Sequence, residues 1–106
     1  MTRLMLITAA VLGLGACSWV DLSPGGEQVD VMNQEQAADC ERVGQTTSQV
    51  LDRVGFVDRS PEKLAEELKT LARNEAAGMG GDAIVAATEI TDGRQRFTVY
   101  RCRPSR

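Results

Sequence analysis

The sequence predicts an α+β domain, a small and mostly antiparallel sheet of about four strands with one helix packed across it, in the order β-β-α-β-β. Three observations predict it. Residues 60–78 carry a capped, amphipathic helix pattern. Residues 82–102 read as an apolar strand, an Asp92-Gly93 turn and an alternating return strand. Cys40 and Cys102 bracket both units and are expected to form one disulfide.

Taken in order, residues 28–32 alternate polar and apolar, with Val29 and Val31 expected on one face of a short strand. Residues 33–39 are polar and read as a loop that delivers Cys40. A strand is expected over residues 40–47, where Thr46-Thr47-Ser48 favours strand or turn, and residues 55–59 are a connection. Ser60 is a good N-cap, Pro61 suits the first helical position, and Glu62 places negative charge in the first turn. Leu64, Leu68 and Leu71 then fall on one stripe, widened by Ala65, Ala72 and Ala76 so that the helix can lie close to a sheet. Gly78, Gly80 and Gly81 end it. Glu75 falls inside that stripe and has two readings. It is either a buried carboxylate that marks a pocket, or a side chain that reaches water at the end of the helix. Glu66 and Glu67 are assigned to the solvent side. Ala83 to Ala87 is an unbroken apolar run, as expected of a strand covered on both faces. It belongs to a strand over residues 82–91, turned at Asp92-Gly93, the strongest short hairpin signal in the chain. On the return strand, residues 94–102, Phe97 and Val99 share one side, and Thr98, Tyr100 and Cys102 the other.

Ahead of this domain lies a segment of another kind. Arg3 is followed by an apolar run to Leu14, too short to span a bilayer as a stable helix, and then by Gly15 and Ala16. Leu14-Gly15-Ala16-Cys17 resembles the lipobox of bacterial lipoproteins, which predicts cleavage between Ala16 and Cys17 and acylation of Cys17. One acyl chain binds a membrane only marginally and stable anchoring takes two signals; the several chains of a lipoprotein cysteine exceed that requirement. Ser18, where an Asp would imply retention in the inner membrane, points to the outer membrane, with the domain facing the periplasm. The expected organisation is a signal peptide over residues 1–16, a lipidated tether over 17–27 and the domain over 28–106. Ser23-Pro24-Gly25-Gly26 gives the tether its linker composition, and Trp19 either sits at the membrane interface or packs on the domain.

The mature chain is sufficient for one small domain, which gains from a covalent staple. With Cys17 lipidated, Cys40 and Cys102 remain as an even pair in an oxidising compartment, so a disulfide is the expected state over two free thiols or a metal pair. The absence of histidine and of closely spaced cysteines makes a metal site poor chemistry, and no cofactor is implied. The formal net charge is −3, but all 15 acidic residues precede Arg94, and five arginines follow: Arg94, Arg96, Arg101, Arg103 and Arg106. This basic end suits an acidic partner, peptidoglycan or anionic head groups. The alternative is that the arginines solvate an edge strand and guard it against aggregation. Nucleic acid is excluded as a partner by the acidic balance and the expected compartment.

The stretch Asn74-Glu75-Ala76-Ala77-Gly78-Met79-Gly80-Gly81-Asp82-Ala83-Ile84-Val85 resembles the pattern N-x-A-A-x-x-G-[AG]-[ND]-x-[IV]-V of a family of small proteobacterial lipoproteins that carry a domain of unknown function. In that family an early Cys with a Gly shortly after it precedes the helix, and a Cys closes the last strand; here these are Cys40, Gly44 and Cys102. The family is similar in outline to the outer-membrane lipoprotein that senses envelope stress for the Rcs phosphorelay. That sensor has two disulfides and a long proline-rich linker, where this chain can form one disulfide on a short tether.

For function, Ser-His and Cys-His catalysis is unavailable without histidine, and Gly78 to Gly81 follows a helix instead of preceding one, the wrong context for a phosphate loop. The expectation is therefore a non-catalytic module that binds an envelope protein or peptidoglycan, with Arg94, Arg96, Arg101 and Arg103 as its candidate surface. An envelope-stress sensor or a small-ligand-binding domain are the alternatives. The sequence is silent on oligomeric state.

Overall fold

The computed structural model describes residues 21–51, 53–54, 57–58 and 60–103. The expected signal peptide, Cys17 and Trp19 lie outside the described residues, as does Arg106. The elements are β1 (Asp30–Met32), β2 (Glu41–Gln49), β3 (Arg53–Val54), β4 (Val57–Asp58), α1 (Pro61–Gly78), β5 (Ala83–Ala86) and β6 (Arg94–Arg101). One sheet runs β1-β5-β6-β2, parallel between β1 and β5 and antiparallel elsewhere. The α+β class, the single helix and the Cys40–Cys102 disulfide stand as the sequence predicts. The β3–β4 hairpin was not anticipated: a connection was expected over residues 55–59, and β4 falls within it.

Helix α1 begins as its sequence requires. The Ser60 hydroxyl accepts from the Lys63 N–H at 3.2 Å, and Pro61 follows at the first helical position. Its end is a Schellman motif. Gly80 takes φ +85°, its N–H donates to the Ala77 carbonyl, and the Gly81 N–H donates to the Ala76 carbonyl. The buried stripe is Leu68, Ala72 and Ala76, which are sealed from solvent. Leu64 and Leu71 are only half-buried. The small alanines let the helix approach the sheet, where Ile84, Phe97 and Val99 complete the core with Val29. Two carboxylates differ from expectation. Glu75 is exposed, so its reading as a pocket marker is not supported. Glu67, assigned to solvent, is 7% exposed, because the buried side of the helix extends beyond the leucine stripe.

The expected pairing of Val29 with Val31 on one face also fails. Val29 precedes β1, at the end of a 3-10 turn (Gly26–Gln28), and is in the core at 1% exposure. Val31 lies on the edge strand beside Ile84 and remains 46% exposed.

On β2 a bulge between Arg42 and Gly44 inserts Val43. Gly44 then lies beneath the helix end, where an added Cβ would stand 3.0 Å from Met79 Cε. Among the described residues, the face of the sheet opposite α1 is covered at one end only. There residues 33–40 form a run of turns, organised by a reciprocal pair: the Asn33 N–H donates to Gln36 Oε1 and the Gln36 N–H to Asn33 Oδ1, each at 2.8 Å. Ala37 of this segment is buried, and Gln34 Nε2 donates to the Tyr100 hydroxyl. Cys40 and Cys102 extend the β2–β6 ladder by one rung beyond the Glu41–Arg101 pair, with their Cα atoms 4.5 Å apart. That is the spacing of a non-hydrogen-bonded antiparallel pair, which a disulfide can bridge.

The hairpin turn is as predicted. Asp92 and Gly93 both have positive φ, 54° and 73°, the signature of a type I′ turn. The strand before it is shorter than the expected 82–91 and stops at Ala86. The reason is a competing acceptor: the Thr88 hydroxyl takes the Arg96 N–H at 3.1 Å, and Gln95 Nε2 donates to the Thr88 carbonyl. The ladder resumes only at the Thr91–Arg94 bridge.

Two predictions follow from this architecture. Asp82 Oδ1 and Oδ2 accept the Cys102 and Arg103 N–H groups at 2.7 and 2.9 Å. Asp82→Ala is expected to lower stability by about 1–3 kcal/mol with the disulfide intact, measured as a fall in urea midpoint. The disulfide closes a sequence separation of 62 residues. Cys40→Ala/Cys102→Ala is expected to destabilise by roughly 4 kcal/mol if chain entropy dominates, read by denaturant unfolding against the oxidised wild type.

Candidate functional site

The four arginines expected to form one basic edge do not. Strand β6 lies inside the sheet between β5 and β2, so its backbone is paired on both sides and needs no protection as an edge. The arginines separate by position and partner. Arg101 Nη1 meets Glu41 Oε1 at 2.9 Å, and its Nε donates to the Gly80 carbonyl at 3.1 Å. It thereby ties the C-terminal end of α1 to β2 and β6 and places a cation where the helix dipole favours one. Arg103 donates from Nη1 to the Gln28 carbonyl at 3.2 Å and stands 3.4 Å from Asp30 Oδ2. Both are half-exposed cross-links of the fold, each of modest energetic value.

Arg94 and Arg96 point to the sheet face away from α1, with Thr98 and Tyr100, because they alternate with the core residues Phe97 and Val99. Among the described residues neither guanidinium has a hydrogen-bond or ion-pair partner, and both residues are exposed. Thr47 lies opposite Arg96 on β2, and Thr91 opposite Arg94 across the turn. With Thr88 and Glu89 from the bend after β5 they line an open cleft of about 230 Å³. The cleft thus gathers two guanidinium groups, three hydroxyls and one carboxylate. A larger open depression of about 590 Å³ adjoins it, lined by Ala86, Ala87, Thr88, Glu89, Ile90 and Gln95, and Leu51 is also exposed. The segment 33–40 that covers the other end of this face does not extend here, so Gln45, Thr47 and Gln49 are exposed too.

Sequence reasoning missed Thr47, Thr88, Glu89 and Thr91 as site residues. Nothing in their spacing signals a site; the interruption of β5 at Thr88 brings them together. Among the described residues no group of three His, Cys, Asp or Glu side chains could hold a metal ion. No helix among them is long and apolar enough to cross a membrane.

The described part of the expected tether is not a free linker. The Ser23 N–H donates to Asn74 Oδ1 at 2.8 Å, and Asn74 Nδ2 donates to the Asp21 carbonyl at 2.9 Å. Arg73 Nε holds the Val29 carbonyl at 2.8 Å. At Gly25 an added Cβ would come within 3.1 Å of Ala77 Cβ, so the strap lies close against the helix at a small side chain. Residues 21–27 therefore belong with the domain, which begins ahead of the expected boundary at 28.

The extent of that strap agrees with the comparison to known families. The family described as Domain of unknown function (DUF4156) matches residues 20–102. The chain belongs to the DUF4156 family. The match takes in the strap at one end and stops at the disulfide cysteine at the other. No curated protein and no solved structure matches the chain. Every residue of the pattern from Asn74 to Val85 whose role is visible here serves the fold. Asn74 clips the strap, Ala76 and Ile84 fill the core, Gly80 and Gly81 turn the chain, and Asp82 caps the end of β6. The stretch from Asn74 to Val85 accordingly serves as scaffold, and the cleft residues lie outside that stretch.

The division of the arginines is directly testable. Arg94→Ala/Arg96→Ala is expected to leave the unfolding free energy, measured by urea denaturation, within about 0.5 kcal/mol of wild type. Arg101→Ala loses two contacts and is expected to cost about 1 kcal/mol.

Proposed function

We propose that this DUF4156 protein is a lipoprotein of the bacterial envelope, anchored to the outer membrane through acylated Cys17, that acts by binding another envelope component and not by catalysis. The observation that carries the reading is the sequence Leu14-Gly15-Ala16-Cys17, set immediately ahead of a disulfide-closed domain. A disulfide is the staple of an oxidising compartment and is rare in a reducing one. Ser18 after the cysteine supports the outer membrane over the inner. The lack of histidine removes the usual nucleophile-activating base, which favours binding over chemistry.

The docked strap limits how the module can work. With Asp21 held by Asn74, only residues 17–20 separate the anchor from the domain. Fully extended, four residues reach at most about 14 Å. The domain is then held close to the membrane that carries it. An envelope-stress sensor of the Rcs kind, the second reading, would have to meet its partner there, since it could not cross the periplasm on such a tether.

Replacing the anchor tests the proposal. In cells fed a labelled fatty acid, the wild type is expected to take up label and sediment with outer membranes. Cys17→Ser is expected to do neither and to accumulate with its leader uncut. Identical labelling and fractionation of the two proteins would defeat the lipoprotein reading.

A further inference from the structure

We infer that the cleft lined by Thr47, Thr88, Glu89, Thr91, Arg94 and Arg96 is the recognition site of this module, and that it binds a carboxylate-bearing peptide of the cell wall. The inference rests on the envelope location proposed above and adds to it a place and a chemistry.

Three observations carry it. The first is charge. Arg94 and Arg96 are the arginines of β6 without partners among the described residues, whereas Arg101 and Arg103 are engaged in the fold. A guanidinium presents planar, paired donors that match a carboxylate. Two of them one strand-repeat apart, side by side with the Thr47 and Thr91 hydroxyls, form a receptor whose guanidinium groups have no acceptor bound among the described residues.

The second is the mixed lining. Glu89 borders the same cleft, which would repel a dianionic phosphate but suits a ligand that carries an amine or amide beside its carboxylate. Three threonines add hydroxyls that can donate or accept. Among envelope components, the short peptides of the wall present this combination of free carboxylates, amides and amines.

The third is orientation. The strap is held by Asn74 on the helix side, near the end of α1 that runs through Gly80 and Gly81 to the disulfide end of the sheet. The cleft lies on the other face of the sheet and at its other end. Arg96 is five residues along β6 from Arg101, about 17 Å at strand rise. The described strap and the cleft thus lie on opposite faces and toward opposite ends of the sheet. A domain tethered at the first presents the second away from its own membrane, which disfavours the anchoring bilayer as the ligand.

The test is co-sedimentation of the full lipidated protein, in detergent micelles, with purified sacculi. The wild type is expected to pellet with sacculi. Arg96→Glu is expected to weaken binding by about tenfold or more, as loss and reversal of a charge-assisted contact would. Arg96→Gln should lie between the two. Arg42→Glu is the control, since it makes the same charge change on the same sheet at the disulfide end, and it should bind within about twofold of wild type for a surface position. Sacculi whose carboxylates have been converted to amides should lose the wild-type protein.

No pelleting of the wild type overturns the inference. So does equal weakening by Arg42→Glu and Arg96→Glu, which would mean adhesion by overall charge, or undiminished binding to amidated sacculi. Binding of an acidic protein through Arg96 with none to sacculi would also overturn it in favour of a protein partner. Micelle binding does not depend on where the anchor resides. Fractionation of the same variants therefore reports separately on the outer-membrane reading.

Discussion

The domain depends on how closely the turn at Gly80 and Gly81 can approach β6. Gly80 supplies the positive φ that stops the helix, and Gly81 passes where any Cβ would run into Val99 Cγ1 and stand 3.1 Å from the Tyr100 carbonyl oxygen. That approach lets Asp82 reach the end of β6 and accept the N–H groups of Cys102 and Arg103 just beyond it. Asp82 in turn starts β5, whose parallel pairing recruits β1, and its carbonyl accepts the Asp30 N–H. Helix end, strand start, disulfide and N-terminal strap therefore meet within a few residues. A side chain at Gly81 would disturb all of them at once, because interiors and tight contacts do not deform gradually.

Around this junction the core is small. Phe97 and Leu68 are its largest sealed side chains, and much of the helix contact is made by alanine. Close packing of small residues gives a precise fit with little apolar area. The covalent tie between Cys40 and Cys102 offsets this, and it does so on the last rung of the strand pair that also carries the Arg101–Glu41 ion pair. The one buried side-chain hydroxyl without a partner among the described residues, Ser48 Oγ, lies at the other end of β2, away from this reinforced region. Organisation is thus concentrated at one end of the sheet.

The opposite end differs in kind. There β5 gives way to a bend stabilised by Thr88 and Gln95, no described residue covers the face of the sheet, and two cationic side chains project from a strand that is otherwise well paired. A rigid central strand is a good platform for recognition, since side chains held on it lose less conformational freedom when they bind. The domain is thus strapped to its helix at one end and polar, open and basic at the other. The residues from Asn74 to Val85 belong to the first end and serve the fold.

By itself the sequence determined the class of the fold, the helix with its cap and glycine stop, the type I′ turn at Asp92-Gly93 and the pairing of the two domain cysteines. These are local features, set by capping hydroxyls, positive-φ preferences and the scarcity of alternatives for a cysteine pair. The tertiary structure decided what depends on neighbours distant in sequence. It placed β6 inside the sheet, which turned a run of five arginines into two fold cross-links and two free cations among those described. It docked residues 21–27 through Asn74 although their composition is that of a linker. It ended β5 at Ala86 because a threonine hydroxyl outcompeted a backbone carbonyl for the Arg96 N–H, and it buried Glu67 while leaving Glu75 in water. A periodic pattern states which residues can share a face; only the packed neighbours determine which face is covered and which charge is already taken.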